Sequence, residues 1–165
     1  MDTRVKILNQ DDIKMKLLRI AYQIVENHFD KKNIILAGIA KSGVIISQTL
    51  KKNIESISSL KVELVNVIIN KKNPIECKLD QPFSPKNKHI IIVDDVSSSG
   101  RTITYAQKPF LDEVATSIQT AVLVDRKHKQ FPISPDYVGL QLSTTLQEKI
   151  TVVCENDQAI SAYLD

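Results

Sequence analysis

Two adjacent carboxylates, Asp94 and Asp95, follow an apolar run and precede a small, hydroxyl-rich segment. The run, Ile-Ile-Ile-Val at 90–93, is typical of a strand that is covered on both faces. Because ligands of open α/β sheets bind at the carboxyl ends of the strands, we expect both acidic side chains to face a ligand. Paired carboxylates are good acceptors for the vicinal hydroxyls of a sugar.

The segment after the carboxylates has the residue types that hold a phosphate: Ser97, Ser98, Ser99, Gly100, Arg101 and Thr102. Small residues expose backbone N–H groups, and the residues that follow are predicted to be helical, so a phosphate could bind at a helix N-terminus. That position favours an anion by about 0.3–1 kcal/mol, and by up to about 2 kcal/mol when it is partly buried. The whole segment suits a ligand with a diol next to a phosphate, such as ribose 5-phosphate.

Residues 93–102 resemble the 5-phosphoribosyl 1-pyrophosphate (PRPP) binding motif of the type I phosphoribosyltransferases. The motif asks for an apolar strand, two acids, an apolar residue, two variable positions, Ser or Thr, Gly, a variable residue and Ser or Thr; the chain fills every place. An acidic pair that caps a strand, or one like that of a phosphoacceptor receiver domain, does not require the Ser-Gly-Arg-Thr turn. The resemblance implies that Asp94 and Asp95 are the catalytic pair. It implies that PRPP is bound by these two residues together with Ser97, Ser98, Ser99, Gly100, Arg101 and Thr102.

A second strand-to-helix connection, Ala40-Lys41-Ser42-Gly43, is the candidate pyrophosphate site. For this tetrapeptide alone, an ordinary connection that starts a helix is the alternative. Its place in the chain matches the loop with which the family grips pyrophosphate, which implies that role for Lys41, Ser42 and Gly43. Lys71 stands where the family's flexible arm has an arginine, and we expect it to act on pyrophosphate as a point charge.

The last third of the chain resembles a narrower group, the bifunctional pyrimidine operon attenuators that are also uracil phosphoribosyltransferases. The similar segments include 121–128 and 136–139. The resemblance implies a base pocket under a small hood near the chain end, with Val124, Asp125 and Arg126 as base contacts. An ordinary strand-end ion pair on a solvated surface is the alternative for the two charged residues. Uracil is the favoured base, and a purine stays open.

The reaction implied by the resemblance is displacement of pyrophosphate from ribose C1 by a ring nitrogen of a nucleobase, through an oxocarbenium-like transition state. Catalysis then comes mainly from positioning the substrates and stabilising charge. Mg²⁺ is expected on the diphosphate, held by substrate oxygens and water rather than by a protein cage. The family also implies a homodimer or a higher homo-oligomer.

Two departures from the family leave a different function open. At 70–73 the chain has Asn-Lys-Lys-Asn where the family has Tyr-Arg-Asp-Asp, and at 41–43 it has Lys-Ser-Gly where the relative has Thr-Arg-Gly. The alternative is a PRPP-sensing or nucleotide-sensing regulator that binds RNA of pyrimidine genes, with weak or no catalysis. Basic residues at 14–19 and 126–129 could contact RNA phosphates, but a solvated helix face is the favoured interpretation.

The composition is that of an ordinary globular protein. The chain has 165 residues, of which 42% are hydrophobic and 25% charged, and we expect a single domain over 1–165. We expect a cytoplasmic location without a membrane partner, because no apolar run approaches ~20 residues and the amino end lacks a signal-peptide core. Cys77 and Cys154 have no metal-ligand spacing, which favours free thiols. The net charge of +3 would help to attract polyphosphates.

Strand-like and helix-like patterns alternate along the chain. They predict an α/β fold with an open, mainly parallel sheet and helices on both faces, and the resemblance adds the small C-terminal hood. The predicted strands are 34–39, 62–69, 90–94, 121–125, 137–140 and 150–154. The predicted helices are 13–28 with Asp12 as its cap, 43–52, 102–114 and 157–163.

Overall fold

The computed structural model describes residues 4–165, which form nine strands and three α-helices. The strands are β1 (Val5–Leu8), β2 (Asn33–Ile39), β3 (Lys61–Ile69), β4 (Cys77–Leu79), β5 (His89–Ser97), β6 (Ser117–Arg126), β7 (Tyr137–Leu142), β8 (Ile150–Glu155) and β9 (Gln158–Leu164). The helices are α1 (Gln10–Asn27), α2 (Ala40–Ile57) and α3 (Arg101–Ala106), and a 3-10 helix spans Lys108–Phe110.

Six strands form the central sheet in the order β4-β3-β2-β5-β6-β7. β4 runs antiparallel to β3, and the other neighbouring pairs are parallel. In the β2–β5 pair Gly38 lies opposite Val93, so the carboxyl ends of these two strands reach the same edge of the sheet. The loop after β2 and the acidic pair of β5 are therefore neighbours.

Helices cover both faces of this sheet, as predicted. α1 and α2 pack on one face, where Leu36 of β2 and Ile91 of β5 point into the core. α3 and the 3-10 helix cover the other face, where Ile35 and Ile92 pack with Phe110. Adjacent residues of one strand thus point to opposite buried faces, which is why the strands are continuous apolar runs in the sequence.

The C-terminal hood is a three-stranded antiparallel sheet in the order β1-β9-β8. It shares the core of α1 and α2, because Ile150, Ala159 and Ala162 are buried in that cluster. β8 contacts β5 and α2, and so borders the carboxyl end of the central sheet. The predicted fold class is confirmed.

The predicted helix at 157–163 is wrong, because this segment is strand β9. Its backbone pairs with β8 on one side and with β1 on the other. The partner β1, at the opposite end of the described chain, was not predicted, and neither was the three-residue strand β4. Pairing with a distant strand overrides the weak local preference of so short a segment.

Several predicted boundaries also shift. The helix predicted over 102–114 ends at Ala106, because Pro109 lacks an N–H group and its ring disfavours a further α-helical turn. α1 is capped by Asn9, and Asp12 completes a capping box from the third helical position. α2 is longer than the predicted 43–52. β5 extends to Ser97 rather than ending at the predicted residue 94, so both acids lie within the strand.

Glycine lets the first turn of α2 lie directly against β5. A Cβ atom on Gly43 would lie 2.5 Å from the carbonyl oxygen of Val93 and 3.3 Å from Cα of Asp94. Both contacts involve backbone, which cannot move aside cheaply. Gly43 therefore fixes the distance between α2 and the acidic pair. Within residues 4–165, no helix is both long enough and apolar enough to cross a membrane.

We expect Gly43→Ala to lower the free energy of unfolding by about 1–3 kcal/mol, the usual cost of overpacking, because α2 must move away from β5. Urea denaturation measures this change. Lys52→Ala, on an exposed position of the same helix, is the control and should stay within about 0.5 kcal/mol of the wild type. Equal stability of the two variants would contradict the close contact.

Candidate functional site

The acidic pair has one buried and one cavity-facing member. Asp94 is 1% exposed, and the side chain of Asp95 is 15% exposed. The N–H of Asp95 donates to Oδ1 of Asp94 at 2.9 Å, and the N–H of Val96 donates to Oδ1 of Asp95 at 2.8 Å. Oδ2 of Asp94 is buried and accepts no hydrogen bond from the described residues. An unsatisfied buried acceptor is costly, and such sites are often functional.

Burial raises the pKa of Asp94 well above its usual range, and the negative charge of Asp95 raises this pKa further. Lys71 opposes the shift, since its Nζ lies 3.5 Å from Oδ1 of Asp94 and 3.9 Å from Oδ1 of Asp95. The Lys71 side chain is 46% exposed. The pair is therefore a costly concentration of negative charge with a cation on its solvent side.

A cavity of about 370 Å³ opens beside the pair. Three segments line it. The first is Lys71, from the chain between β3 and β5, residues 70–88, which is called the arm below. The others are residues 95–103, at the end of β5 and the start of α3, and residues 149–152, at the start of β8. The volume lies within the range of small-molecule sites, which is roughly 300–1,000 Å³. The structure thus brings the cavity-facing acid, the hydroxyl-rich turn and the hood together around one space.

The turn at 97–102 lines this cavity along its whole length. Gly100 has a φ of +85°, a left-handed conformation that glycine adopts without strain. The backbone N–H of Arg101 donates to Oγ of Ser99 at 3.3 Å, and the carbonyl of Gly100 accepts from Thr104. The helix that follows, α3, has six residues, so the predicted helix N-terminus is present but short.

Lys129 forms a hydrogen bond to this turn. Its Nζ donates to the carbonyl of Ser97 at 3.2 Å, to Oδ1 of Asp125 at 2.5 Å and to the carbonyl of Arg126, and its side chain is 16% exposed. The N–H groups of the two residues after Lys129 both donate to the carbonyl of Ser99. In the sequence Lys129 looks like part of an exposed basic turn; the acid four positions earlier was the available signal for an ion pair.

The three predicted base contacts lie at the end of β6, and the described residues that line the cavity do not include them. Val124 is fully buried. Asp125 accepts from Lys129 and, at 3.3 Å, from the side-chain amide of Gln141. Arg126 donates to the carbonyl of Thr145. Their contact with a base stays a prediction. Residues 149–152, at the start of the hood strand β8, do line the cavity but were not predicted to do so.

The predicted pyrophosphate residues are divided between the cavity and other surfaces. Gly43 is buried against β5, and Ser42 is half-buried in the same first turn of α2. Lys41 is exposed and borders a separate depression on α2. Ala40 has a φ of +50°, which is strained for a residue with a side chain. Lys71 borders the cavity itself, and the roles of these residues in pyrophosphate binding stay predictions.

The arm between β3 and β5 is attached to the turn at 97–102. The guanidinium of Arg101 donates to the carbonyl of Lys72 at 3.0 Å, one residue beyond Lys71. Farther along, Nζ of Lys108 donates to the carbonyl of Ile75 at 3.1 Å. These contacts hold the arm against the turn and the 3-10 helix, and keep Lys71 within reach of the acidic pair.

The face of α1 that was considered for RNA binding includes Arg19, whose side chain contacts the protein's own backbone. The guanidinium of Arg19 donates to the carbonyl of Val138 at 3.2 Å and to that of Gly139 at 2.7 Å, on edge strand β7. Leu18 and Tyr22 lie exposed on either side of it. Arg19 is therefore already engaged with backbone carbonyls, and the regulator hypothesis stays a prediction.

The carboxylate pair and the small-residue turn lie at the carboxyl edge of an open, mainly parallel sheet, which is where α/β proteins bind their ligands. The phosphoribosyl transferase domain family matches residues 4–158. The chain belongs to this family. The resemblance of the motif at 93–102 is thereby confirmed.

Curated relatives agree over nearly the whole chain. The Bifunctional protein PyrR of Haemophilus ducreyi is 32% identical over 165 residues, which cover 94% of this chain and 92% of that protein. The Bifunctional protein PyrR of Bacillus cereus is 34% identical over 171 residues, which cover 96% and 95% of the two chains.

Solved structures share the fold at low sequence identity. The hypoxanthine phosphoribosyltransferase of Trypanosoma cruzi superposes with a TM-score of 0.75 at 19% identity, over 84% of this chain and 81% of that chain. A hypoxanthine-guanine phosphoribosyltransferase from Bacillus anthracis has a TM-score of 0.76 at 16% identity, over 98% and 96% of the two chains.

We expect Lys129→Met to lower the free energy of unfolding by roughly 3–5 kcal/mol, because it leaves the buried carboxylate of Asp125 without its cation. Adding Asp125→Asn should recover part of this loss, since the unpaired charge is then gone. Urea denaturation of both variants and of the single Asp125→Asn variant completes a double-mutant cycle. Strictly additive effects would show that the ion pair contributes nothing.

Asp94→Asn should increase the free energy of unfolding at about pH 8, because the pKa of Asp94 is higher in the folded protein than in the unfolded chain. The native state then loses stability as the pH rises through that pKa. The advantage of the variant should disappear below the ordinary aspartate pKa of 3.8, where the wild-type carboxyl is protonated in both states.

Urea denaturation over this pH range measures the stability difference between the variant and the wild type, with exposed Asp112→Asn as the control. A loss of stability at about pH 8 would contradict the proposed cost of the buried charge.

Proposed function

We propose that the protein transfers the 5-phosphoribosyl group from PRPP to uracil and releases pyrophosphate, as the single domain predicted over 1–165. The observation that carries this proposal is the shared cavity of Asp95, the turn at 97–102 and the start of β8. These three surfaces suit a sugar diol, a phosphate and a flat base. Uracil is favoured by the resemblance of 121–128 and 136–139 to uracil phosphoribosyltransferases, and relatives named PyrR fit that choice.

Asp94 and Asp95 accept hydrogen bonds from the ribose hydroxyls in this proposal. The unsatisfied Oδ2 of Asp94 and the cavity-facing carboxylate of Asp95 support that role. Their negative charge also lies where an oxocarbenium-like sugar develops positive charge. The 5-phosphate is held by backbone and hydroxyl donors of the turn: Ser97, Ser98, Ser99, Gly100, Arg101 and Thr102.

The diphosphate lies between the first turn of α2, residues 41–43, and Lys71. Lys71 already borders the cavity, and Gly43 holds α2 against the acidic pair. Among residues 4–165 no cluster of three or more His, Cys, Asp or Glu side chains is placed to hold a metal ion. Two neighbouring carboxylates fit Mg²⁺ that takes most of its ligands from the substrate and water, where it would neutralise charge on the diphosphate.

The base lies against the hood. β8 is an edge strand of its sheet, and residues 149–152 border the cavity. Backbone N–H and C=O groups on the unpaired side of an edge strand are available to a ligand. Uracil offers both donors and acceptors, so it can be recognised by such groups without a charged side chain. The base contacts predicted at Val124, Asp125 and Arg126 stay part of this proposal, although they are not among the described residues that line the cavity.

In the chemical step the lone pair on N1 of uracil forms a bond to ribose C1. The C1–O bond to pyrophosphate breaks, and its electron pair leaves with the pyrophosphate. The N1 proton passes to solvent. The protein supplies no nucleophile of its own; it aligns the two substrates and stabilises charge on the ribose and on the leaving group.

We expect pyrophosphate release from PRPP in the presence of Mg²⁺ to depend on uracil. In Asp94→Asn/Asp95→Asn the rate should fall by at least roughly 10²-fold, because electrostatic stabilisation of the transition state is lost. A coupled pyrophosphate assay measures it, with hypoxanthine, guanine, xanthine, adenine and orotate in parallel.

The control for this assay is Asp11→Asn/Asp112→Asn, which removes two exposed carboxylates at a distance from the cavity. It should keep the wild-type rate. Release that depends on a purine instead of uracil would replace the base in this proposal. No release with any base, together with retained PRPP binding, would favour a nucleotide-sensing regulator.

A further inference from the structure

Lys71 covers the carboxylate that a ribose hydroxyl has to reach. Its Nζ lies 3.5 Å from Oδ1 of Asp94, and it is also 3.9 Å from Oδ1 of Asp95. Asp94 is almost fully buried, whereas Lys71 is about half exposed, so the amine lies on the solvent side of the pair. A sugar hydroxyl that binds Oδ1 of either acid therefore competes with Lys71 for that atom.

The arm does not leave this position freely. The carbonyl after Lys71, that of Lys72, accepts from the guanidinium of Arg101, and the carbonyl of Ile75 accepts from Lys108. When Lys71 moves away, two neighbouring carboxylates, one of them buried, lose the cation that stands beside them. Separating a cation from a buried carboxylate costs free energy unless another partner replaces it.

We infer that Lys71 is a specificity-determining residue that selects ligands with a diphosphate on ribose C1. It lies on the acidic pair in this structure and moves to the diphosphate when PRPP binds. PRPP returns an anionic partner to Lys71, whereas ribose 5-phosphate offers the same diol and 5-phosphate but no anion at C1. This inference rests on the proposed function, since it assumes that the acidic pair binds the ribose.

A lysine is suited to this exchange of partners. Its ammonium is a compact point charge on a flexible stem with three donors, whereas the planar fork of an arginine would bind a carboxylate through two parallel hydrogen bonds. The same exchange would favour release of a nucleoside monophosphate product. Once pyrophosphate has left, Lys71 can return to the acidic pair and compete with the product's ribose hydroxyls.

Calorimetric titration of PRPP and of ribose 5-phosphate, both with Mg²⁺, tests the inference on the wild type, Lys71→Met, Lys71→Arg and Lys78→Met. Lys71→Met should bind ribose 5-phosphate roughly 3-fold to 10-fold more tightly and PRPP roughly 10-fold more weakly, because the competing amine and the diphosphate's cation are removed together. Lys71→Arg should still prefer PRPP but should bind both ligands more weakly than the wild type, because the arginine fork holds the carboxylates more tightly. Lys78→Met removes the same charge from an exposed position of the same arm and should leave both affinities unchanged.

In Lys71→Met the affinity for ribose 5-phosphate should rise while that for PRPP falls. These opposite changes distinguish a role in ligand selection from general attraction of anions. If Lys71→Met lowers the affinity for both ligands by the same factor, Lys71 merely attracts anions and the inference is overturned. Unchanged affinities for both ligands would overturn it as well. Failure of the wild type to bind either ligand would instead refute the proposed function, since a ribose site at the acidic pair would then be absent.

Discussion

The interaction on which the site depends is that of two neighbouring carboxylates, one of them buried, with a single lysine. Asp94 is held inside β5, where water cannot compensate its charge, and Asp95 is the next residue along the strand. Such a pair is unfavourable by itself, as the raised pKa of Asp94 indicates. It is tolerated because the pair is held within strand β5 and because Lys71 lies against it. Stability is given up at the place where the proposed function needs acceptors for a sugar.

The rest of the molecule is arranged around that pair. Parallel strands bring the ends of β2 and β5 to one edge, and Gly43 lets α2 touch the backbone of Asp94. Lys129 donates to the carbonyl of Ser97 in the turn at 97–102, while the arm and the hood strand β8 complete the remaining walls of the cavity. Each wall comes from a different part of the chain. The site therefore exists only when the whole fold has formed.

The central strands and the motif at 93–102 were predictable because local sequence determines them: burial on both faces requires unbroken apolar runs, and a tight phosphate turn requires small residues. Features that depend on distant pairing were not. Residues 158–164 form a strand because β1 and β8 flank them, which no local pattern reveals. Lys129 is largely buried through its hydrogen bond to the carbonyl of Ser97, which is distant in the sequence. Its basic sequence neighbours instead indicated a solvent-exposed position. Pro109 is a local signal for the early end of α3, although the predicted helix continued past it.

The most direct test of a ribose site at the acidic pair is a crystal structure of the protein with PRPP and Mg²⁺ bound. We expect the ribose hydroxyls within hydrogen-bond distance, about 2.5–3.0 Å, of Asp94 and Asp95. The 5-phosphate should lie in the turn at 97–102, and Nζ of Lys71 should lie on the diphosphate. A phosphoribosyl group bound elsewhere, with Lys71 still on the two carboxylates, would contradict this arrangement.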